Sequence, residues 1–151
     1  MKQTVGGDKM KYSVVAAAVC LCMELHAGSV QAGTVLAKVD LRSQTMTVSE
    51  DGVFKYRWKV STARRGYVTP TGSYTAKWLS KDHRSKKYDD APMPYAVFFN
   101  GGYAVHGTYE VRHLGQPASH GCVRLETRNA ATFFSMTADV GLSNTRIVIS
   151  E

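Results

Sequence analysis

Three residues in this chain have the types and spacing for nucleophilic chemistry. His106 lies 16 residues before Cys122, and His120 lies two before it. A thiol attacks only as thiolate, and a free thiol near pKa 8.5 carries little thiolate at neutral pH. A neighbouring imidazole removes that obstacle by taking the proton. His120 is a candidate base by proximity, because an extended segment puts residues i and i+2 on one face. His106 is the other candidate, reaching across from a different strand. Gly121 has no Cβ and would let a substrate carbonyl approach the backbone. The N–H groups near Cys122 could then form an oxyanion hole, worth about 3–4 kcal/mol per donor. Arg124 shares the alternation with Cys122, and its planar guanidinium suits a carboxylate.

Other readings of the same residues stand beside this one. A free cysteine is often a small buried hydrophobe, and a lone histidine is often structural. His106, His113, His120 and Cys122 could bind zinc, but His-x-Cys departs from the usual ligand spacings. His113 reads as a loop residue.

The elements that must position these groups are mostly short strands. Val35, Ala37, Val39 and Leu41 share a face, and Thr45–Ser49 forms a second strand. Asp51-Gly52 marks a tight hairpin turn with positive φ at both positions. Phe54, Tyr56, Trp58 and Val60 alternate with Lys55, Arg57 and Lys59, which predicts one buried face and one wet basic face. Thr69-Pro70-Thr71-Gly72 is a turn, Ser73–Leu79 a strand, and the polar residues 80–92 a loop. Tyr95–Phe99 and Tyr103–His106 flank Asn100-Gly101-Gly102 as a hairpin. Ala130, Phe133, Phe134 and Thr137 follow helical spacing, so 127–138 is the one helix. Thr127 would cap its start and Gly141 would follow its end. Val123–Leu125 is a short apolar strand, and Thr145–Ser150 closes the chain as another.

The chain has 151 residues, 44% hydrophobic and 21% charged, a balance that can bury one core and argues against disorder. Lys9 and Lys11 precede an uncharged, mostly apolar run of ten residues, Val14–Met23. A spanning helix needs about 20 apolar residues, so the run predicts no permanent membrane span. It fits a secretory signal peptide, with cleavage after Ala32 in Val30-Gln31-Ala32 and a start at Met1 or Met10. A lipoprotein signal is disfavoured, because neither Cys20 nor Cys22 follows a lipobox. The expected division is a leader, 1–32, and a single domain, 33–151. The leader removes Cys20 and Cys22, so Cys122 becomes the one thiol of an exported protein, a circumstance that calls for pairing or reactivity. The net charge is +7 for the whole chain, and +6 for the 16 basic and 10 acidic residues after position 32. That charge suits an acidic polymer. Export argues against nucleic acid as the polymer.

His106-Gly107, eleven intervening residues to Ser119, then Ser119-His120-Gly121-Cys122-Val123-Arg124 resembles the signature of the L,D-transpeptidase catalytic domain, the YkuD family. The resemblance extends over the mature chain, with Asp40-Leu41, Ser61, Thr69-Pro70-Thr71-Gly72 and Ala91-Pro92-Met93-Pro94-Tyr95 as further landmarks. It implies a mostly-β fold, a sandwich of mixed sheets with one helix packed on it. It implies Cys122 as nucleophile and His106 as base, oriented by the Gly107 carbonyl, with His120 supporting the site. Gly121 and Cys122 would give oxyanion donors. Arg124, Ser119, Met93, Tyr95 and Phe98 would contact substrate, and residues 107–118 would form part of a lid. The implied reaction is acyl transfer from the third residue of a peptidoglycan tetrapeptide stem, with D-alanine released. The acceptor would be a second stem, giving a 3→3 cross-link, or an outer-membrane lipoprotein. With water as acceptor the enzyme would be a carboxypeptidase or hydrolase. No metal or organic cofactor is implied. The location would be the periplasm or cell wall. From a different class, a catalytically silent wall-binding protein is the alternative.

Overall fold

The computed structural model describes Lys2 and residues 33–151. The leader, its Val14–Met23 run and the Ala32 cleavage point lie outside the described residues. Among the described residues, nine strands and one α-helix follow in chain order: β1 Val35–Asp40, β2 Thr45–Glu50, β3 Val53–Lys59, β4 Gly72–Thr75, β5 Trp78–Ser85, β6 Ala91–Asn100, β7 Tyr103–Thr108, β8 Val123–Glu126, α1 Thr127–Val140 and β9 Thr145–Ser150. One sheet has the order β3-β2-β1-β9-β4 and the other β5-β6-β7-β8. Both are mixed, because β1 runs parallel to β9 and β7 parallel to β8. This is the mostly-β sandwich with one helix that the sequence predicted.

The core lies between the sheets. Val35, Ala37, Val39, Met46, Val48, Ile147 and Ile149 from the first sheet meet Val97, Phe99, Val105, Val123 and Leu125 from the second. Helix α1 adds Ala130 and Phe133 to the same cluster. Its end is set by Gly141, at φ 90°, whose N–H donates to Thr137 O. The outer face of the second sheet carries a different set: Met93, Ala96, Phe98 and Ala104, with Cys122 packed against them. One sheet therefore serves the core on one face and the candidate site on the other.

The Asp51-Gly52 turn has both residues at positive φ, as a hairpin of this length requires. Four expectations need correction. Residues 80–92 are not a loop: β5 extends to Ser85 and pairs with β6, which begins at Ala91 rather than Tyr95. β5 reads as polar because it is an edge strand with solvent on one side. The predicted strand Ser73–Leu79 is two strands, β4 and β5, which belong to different sheets. The aromatic face of β3 is not buried. Phe54 is 62% exposed, because β3 is the sheet edge and the second sheet does not reach over it. Thr127 does not cap α1; Glu126 holds the cap position, and the Thr127 hydroxyl donates to Thr108 O at 3.3 Å.

Phe133 is fully buried and Phe134 only half so. Phe133→Ala should lower the unfolding free energy by about 3–5 kcal/mol, and Phe134→Ala by clearly less. Urea denaturation followed by tryptophan fluorescence measures both, and equal losses would contradict the packing.

Candidate active site

The parallel pairing of β7 with β8 sets His106 opposite Arg124. Cys122 precedes β8 by one residue, two before Arg124, and so falls on the same face. His106, Cys122, Arg124, Met93, Phe98 and His120 line one cavity of about 1020 Å³. The turn between β5 and β6 supplies one wall with Lys87 and Tyr88, and Tyr109 and Glu110 supply another. The expected lid segment is divided in role. Thr108–Glu110 faces the cavity, whereas Gly115, Gln116 and Ala118 turn back to bond Val60, Ser61 and Thr62.

The backbone around Cys122 has no helix or long strand to hold it. Buried polar groups from 61–69 do that work. Ser61 exchanges two backbone bonds with Arg124, at 2.9 and 3.0 Å. The Thr62 carbonyl accepts the N–H groups of Ala118 and Ser119 at 2.9 and 2.8 Å. The Thr69 hydroxyl donates to Gly121 O at 2.8 Å and accepts the Ala63 N–H at 3.0 Å. Behind them, buried Gln44 accepts the Thr62 N–H at 2.9 Å and donates to the Thr62 hydroxyl at 2.6 Å. Sequence reasoning marked Ser61 and Thr69 as landmarks and missed Gln44 and Thr62. Nothing in a glutamine after a strand announces that it will be buried.

Hydrogen bonding separates the two histidines. His106 Nδ1 lies 2.7 Å from Gly107 O. A carbonyl only accepts, so Nδ1 carries the proton and Nε2 keeps a lone pair. Burial drives the His106 pKa from 6.5 down to about 4, and Arg124 and His83 push the same way, against the Gly107 bond. The ring is therefore neutral at neutral pH and able to accept a proton. Burial also raises the Cys122 thiol, only partly opposed by the Ala104 backbone and Arg124. The thiol contacts Gly102 O at 3.7 Å. Thiol and imidazole thus both rest uncharged.

Several candidate residues play other parts than expected. Ser119 is fully buried, and its hydroxyl is committed: it accepts the Gly121 N–H at 3.0 Å and donates to Cys122 O at 2.7 Å. It braces the turn and has no proton left to donate to substrate. The Gly121 N–H is accordingly not a free oxyanion donor. Nor does Gly121 leave room for a substrate carbonyl. A Cβ there would fall 2.5 Å from the Tyr103 ring and 2.8 Å from Val68 O, at φ +134°. Gly107 is similarly enclosed, with Thr127 Cα and Pro94 at 3.0–3.2 Å from a built Cβ. Tyr95 does not line the cavity. Its left-handed backbone, φ 54°, breaks the alternation of β6, so Met93 and Phe98 both reach the cavity. Tyr95 itself turns to the core, edge-on to Phe134 at 5.8 Å. His120 is not placed to be the base: Arg64 Nη2 lies 2.7 Å from its Nε2.

A thiol and a lone-pair imidazole lining one cavity are the components of a cysteine nucleophile site. The model of the YkuD L,D-transpeptidase catalytic domain matches residues 34–149, and the chain belongs to that family. Among solved structures, it is similar to an L,D-transpeptidase from Mycobacterium smegmatis, with 26% identity and a TM-score of 0.69, covering 79% of this chain and 59% of that one. An L,D-transpeptidase from Stackebrandtia nassauensis gives 29% identity and a TM-score of 0.69, covering 78% and 56%. One from Mycobacterium tuberculosis shares the fold at 24% identity and a TM-score of 0.71, covering 79% and 58%. The chain thus spans less than two thirds of the length of these relatives. No curated protein sequence matches it.

Two outcomes test this geometry. His106 is protonated near pH 6.5 when unfolded but only near 4 when folded. The unfolded state therefore binds more protons between those values, and stability falls as pH drops through them, by about 3 kcal/mol in all. Denaturation midpoints from pH 7 to 4 should show this slope, and His106→Gln should flatten it. Thr69→Val removes a buried hydroxyl with two partners and should cost about 2 kcal/mol and slow thiol alkylation, whereas Thr69→Ser should keep both near wild type.

Proposed function

We propose that this protein is a peptidoglycan L,D-transpeptidase that works through a Cys122 thioester. The observation that carries the reading is the His106 lone pair, fixed by Gly107 O, in the same cavity as the thiol of Cys122. Membership of the YkuD family supplies the substrate class: the stem peptides of peptidoglycan.

The geometry supports a two-step mechanism. Cys122 Sγ attacks the carbonyl carbon of the third stem residue while His106 Nε2 takes the thiol proton. The Cys122 N–H is the backbone donor for the oxyanion, since Ser119 holds that of Gly121. The bond to the terminal D-alanine then breaks, and His106 returns its proton to the leaving amine. This leaves an acyl thioester and a neutral ring. An acceptor amine attacks the thioester, His106 removes its proton, and the thiol is regenerated. Because thiol and imidazole rest neutral, proton transfer accompanies attack rather than preceding it. Arg124 is half-buried in the cavity and only loosely paired, at 3.5 Å from Glu110. It is available for a substrate carboxylate. Met93 and Phe98 supply the apolar floor for the stem. We read residues 1–32 as an export signal that delivers the domain to the wall, where its excess of cations faces an acidic polymer. The acceptor is a second stem or a lipoprotein lysine.

Incubation of the protein with disaccharide-tetrapeptide, followed by mass spectrometry, tests this reading. Loss of D-alanine and formation of a joined dimer are expected, both absent in Cys122→Ala and reduced by at least about 10³-fold in His106→Ala. Tripeptide without dimer would assign water as acceptor and make the protein a carboxypeptidase. Intact substrate, with a folded protein and a titratable thiol, would favour a wall-binding protein and sink the proposal.

A further inference from the structure

Three side chains close on His120, and the mechanism above uses none of these contacts. Arg64 Nη2 is 2.7 Å from Nε2. Tyr88 stacks on the ring face at 4.3 Å and 11°. Tyr67 meets the ring edge-on at 4.6 Å and 82°. The Arg64 guanidinium lies 4.8 Å over Tyr67, and Lys87 Nζ lies 5.4 Å over Tyr88. The imidazole plane is fixed by two rings and one of its nitrogens by a cation.

A guanidinium has only donors and stays charged at any physiological pH. Its contact with Nε2 therefore requires a lone pair there, which puts the single ring proton on Nδ1. Protonation of His120 would set an N–H against an N–H. The charged and titratable groups facing the ring are Arg64 and Tyr67 from the 61–69 segment, Lys87 and Tyr88 from the β5–β6 turn, and Arg124 from β8. Burial first, then Arg64, Arg124 and Lys87, lower its pKa. His120 is thus a mirror image of His106. One ring offers a lone pair and the other offers a proton, both on the same cavity.

We propose that Arg64 is a positioning residue that fixes His120 as a neutral Nδ1–H donor, and that this donor binds the acyl oxygen of the substrate during attack by Cys122. The proposal rests on the acyl-transfer reading. It answers a deficit in the site: Ser119 has taken the Gly121 N–H, and the oxyanion needs a second donor besides Cys122. His120 stands two residues from the nucleophile on the cavity wall, and its remaining nitrogen has only a proton to give. The proton stays on Nδ1 throughout, so the mechanism's balance is unchanged. Stacking on Tyr88 ties the donor to the β5–β6 turn that walls the cavity.

Two measurements on the full chain test it, neither needing a stem peptide. Long-range ¹⁵N–¹H spectra at neutral pH should show His120 protonated on Nδ1 with an unprotonated Nε2. In Arg64→Met the two tautomers should mix, and the ring should titrate at a higher pH than in wild type, with burial still holding it down. A wild-type ring protonated on Nε2 would overturn the assignment. The second measurement is acylation of Cys122 by p-nitrophenyl acetate, which forms an oxyanion, set against alkylation by iodoacetamide, which forms none. His120→Phe should slow acylation about 10²-fold and leave alkylation unchanged. His120→Asn keeps an N–H donor and should recover most of the rate. Arg64→Met should slow acylation about tenfold. Equal acylation in His120→Phe and wild type, or equal losses in acylation and alkylation, would overturn the proposal. Failure of the peptidoglycan assay alone would leave these results intact and would fault the substrate instead.

Discussion

The site depends on a short irregular segment, residues 61–69, that takes up the hydrogen bonds of the backbone carrying Cys122. A nucleophile at the mouth of a strand gains nothing from the strand itself. Cys122 precedes β8 by one residue, so the ladder with β7 begins after it. Its neighbours would carry unpaired N–H and carbonyl groups in a buried place, each costing on the order of 1–3 kcal/mol. Ser61, Thr62 and Thr69 remove that cost by bonding Arg124, Ser119 and Gly121 in turn. Gln44 does the same for Thr62 from the β1–β2 turn. The geometry around Cys122 is consequently a property of two sheets: β1, β2 and β3 lead into the buttress, and β7 and β8 carry His106 and Arg124.

Burial also decides the chemistry. Desolvation disfavours the charged form of any group, so it lowers the basicity of His106 and raises the thiol pKa of Cys122 together. An exposed pair would move toward thiolate and imidazolium. This pair stays neutral, and in the proposed mechanism its proton moves only when a substrate carbonyl offers the sulfur something to attack. The Gly107 carbonyl completes the device by holding Nδ1, so the ring has one tautomer and one free lone pair.

Much of this was legible in the sequence. Period-two alternation identified β1, and the helical spacing of Ala130, Phe133, Phe134 and Thr137 identified α1. The Asp51-Gly52 turn was readable because only a few residues tolerate its backbone. What stayed illegible has a common cause, which is context outside the local pattern. β3 alternates as if half-buried, yet edge position leaves Phe54 in solvent. β5 is polar enough to pass for a loop, and its pairing with β6 is a fact about β6. Tyr95 belongs to the core because a single positive φ inverts the alternation around it. At the site, residue types named the nucleophile and two possible bases, but spacing could not choose between them. The family resemblance favoured His106, and the partners of each ring nitrogen give the physical reason: a carbonyl for His106 and a guanidinium for His120.

The same logic explains why Gly121 and Ser119 belong together in the Ser-His-Gly-Cys run. The serine hydroxyl bonds forward to Cys122 O and receives the Gly121 N–H, which closes a tight turn. That turn requires φ +134° at Gly121 and brings Tyr103 and Val68 O where a Cβ would stand. With the glycine's N–H spent on the serine, its contribution is shape. The turn aims the Cys122 side chain into the cavity and sets His120 on the wall beside it. A substitution at either position would then disturb the thiol by moving the backbone under it, without touching a group that reacts.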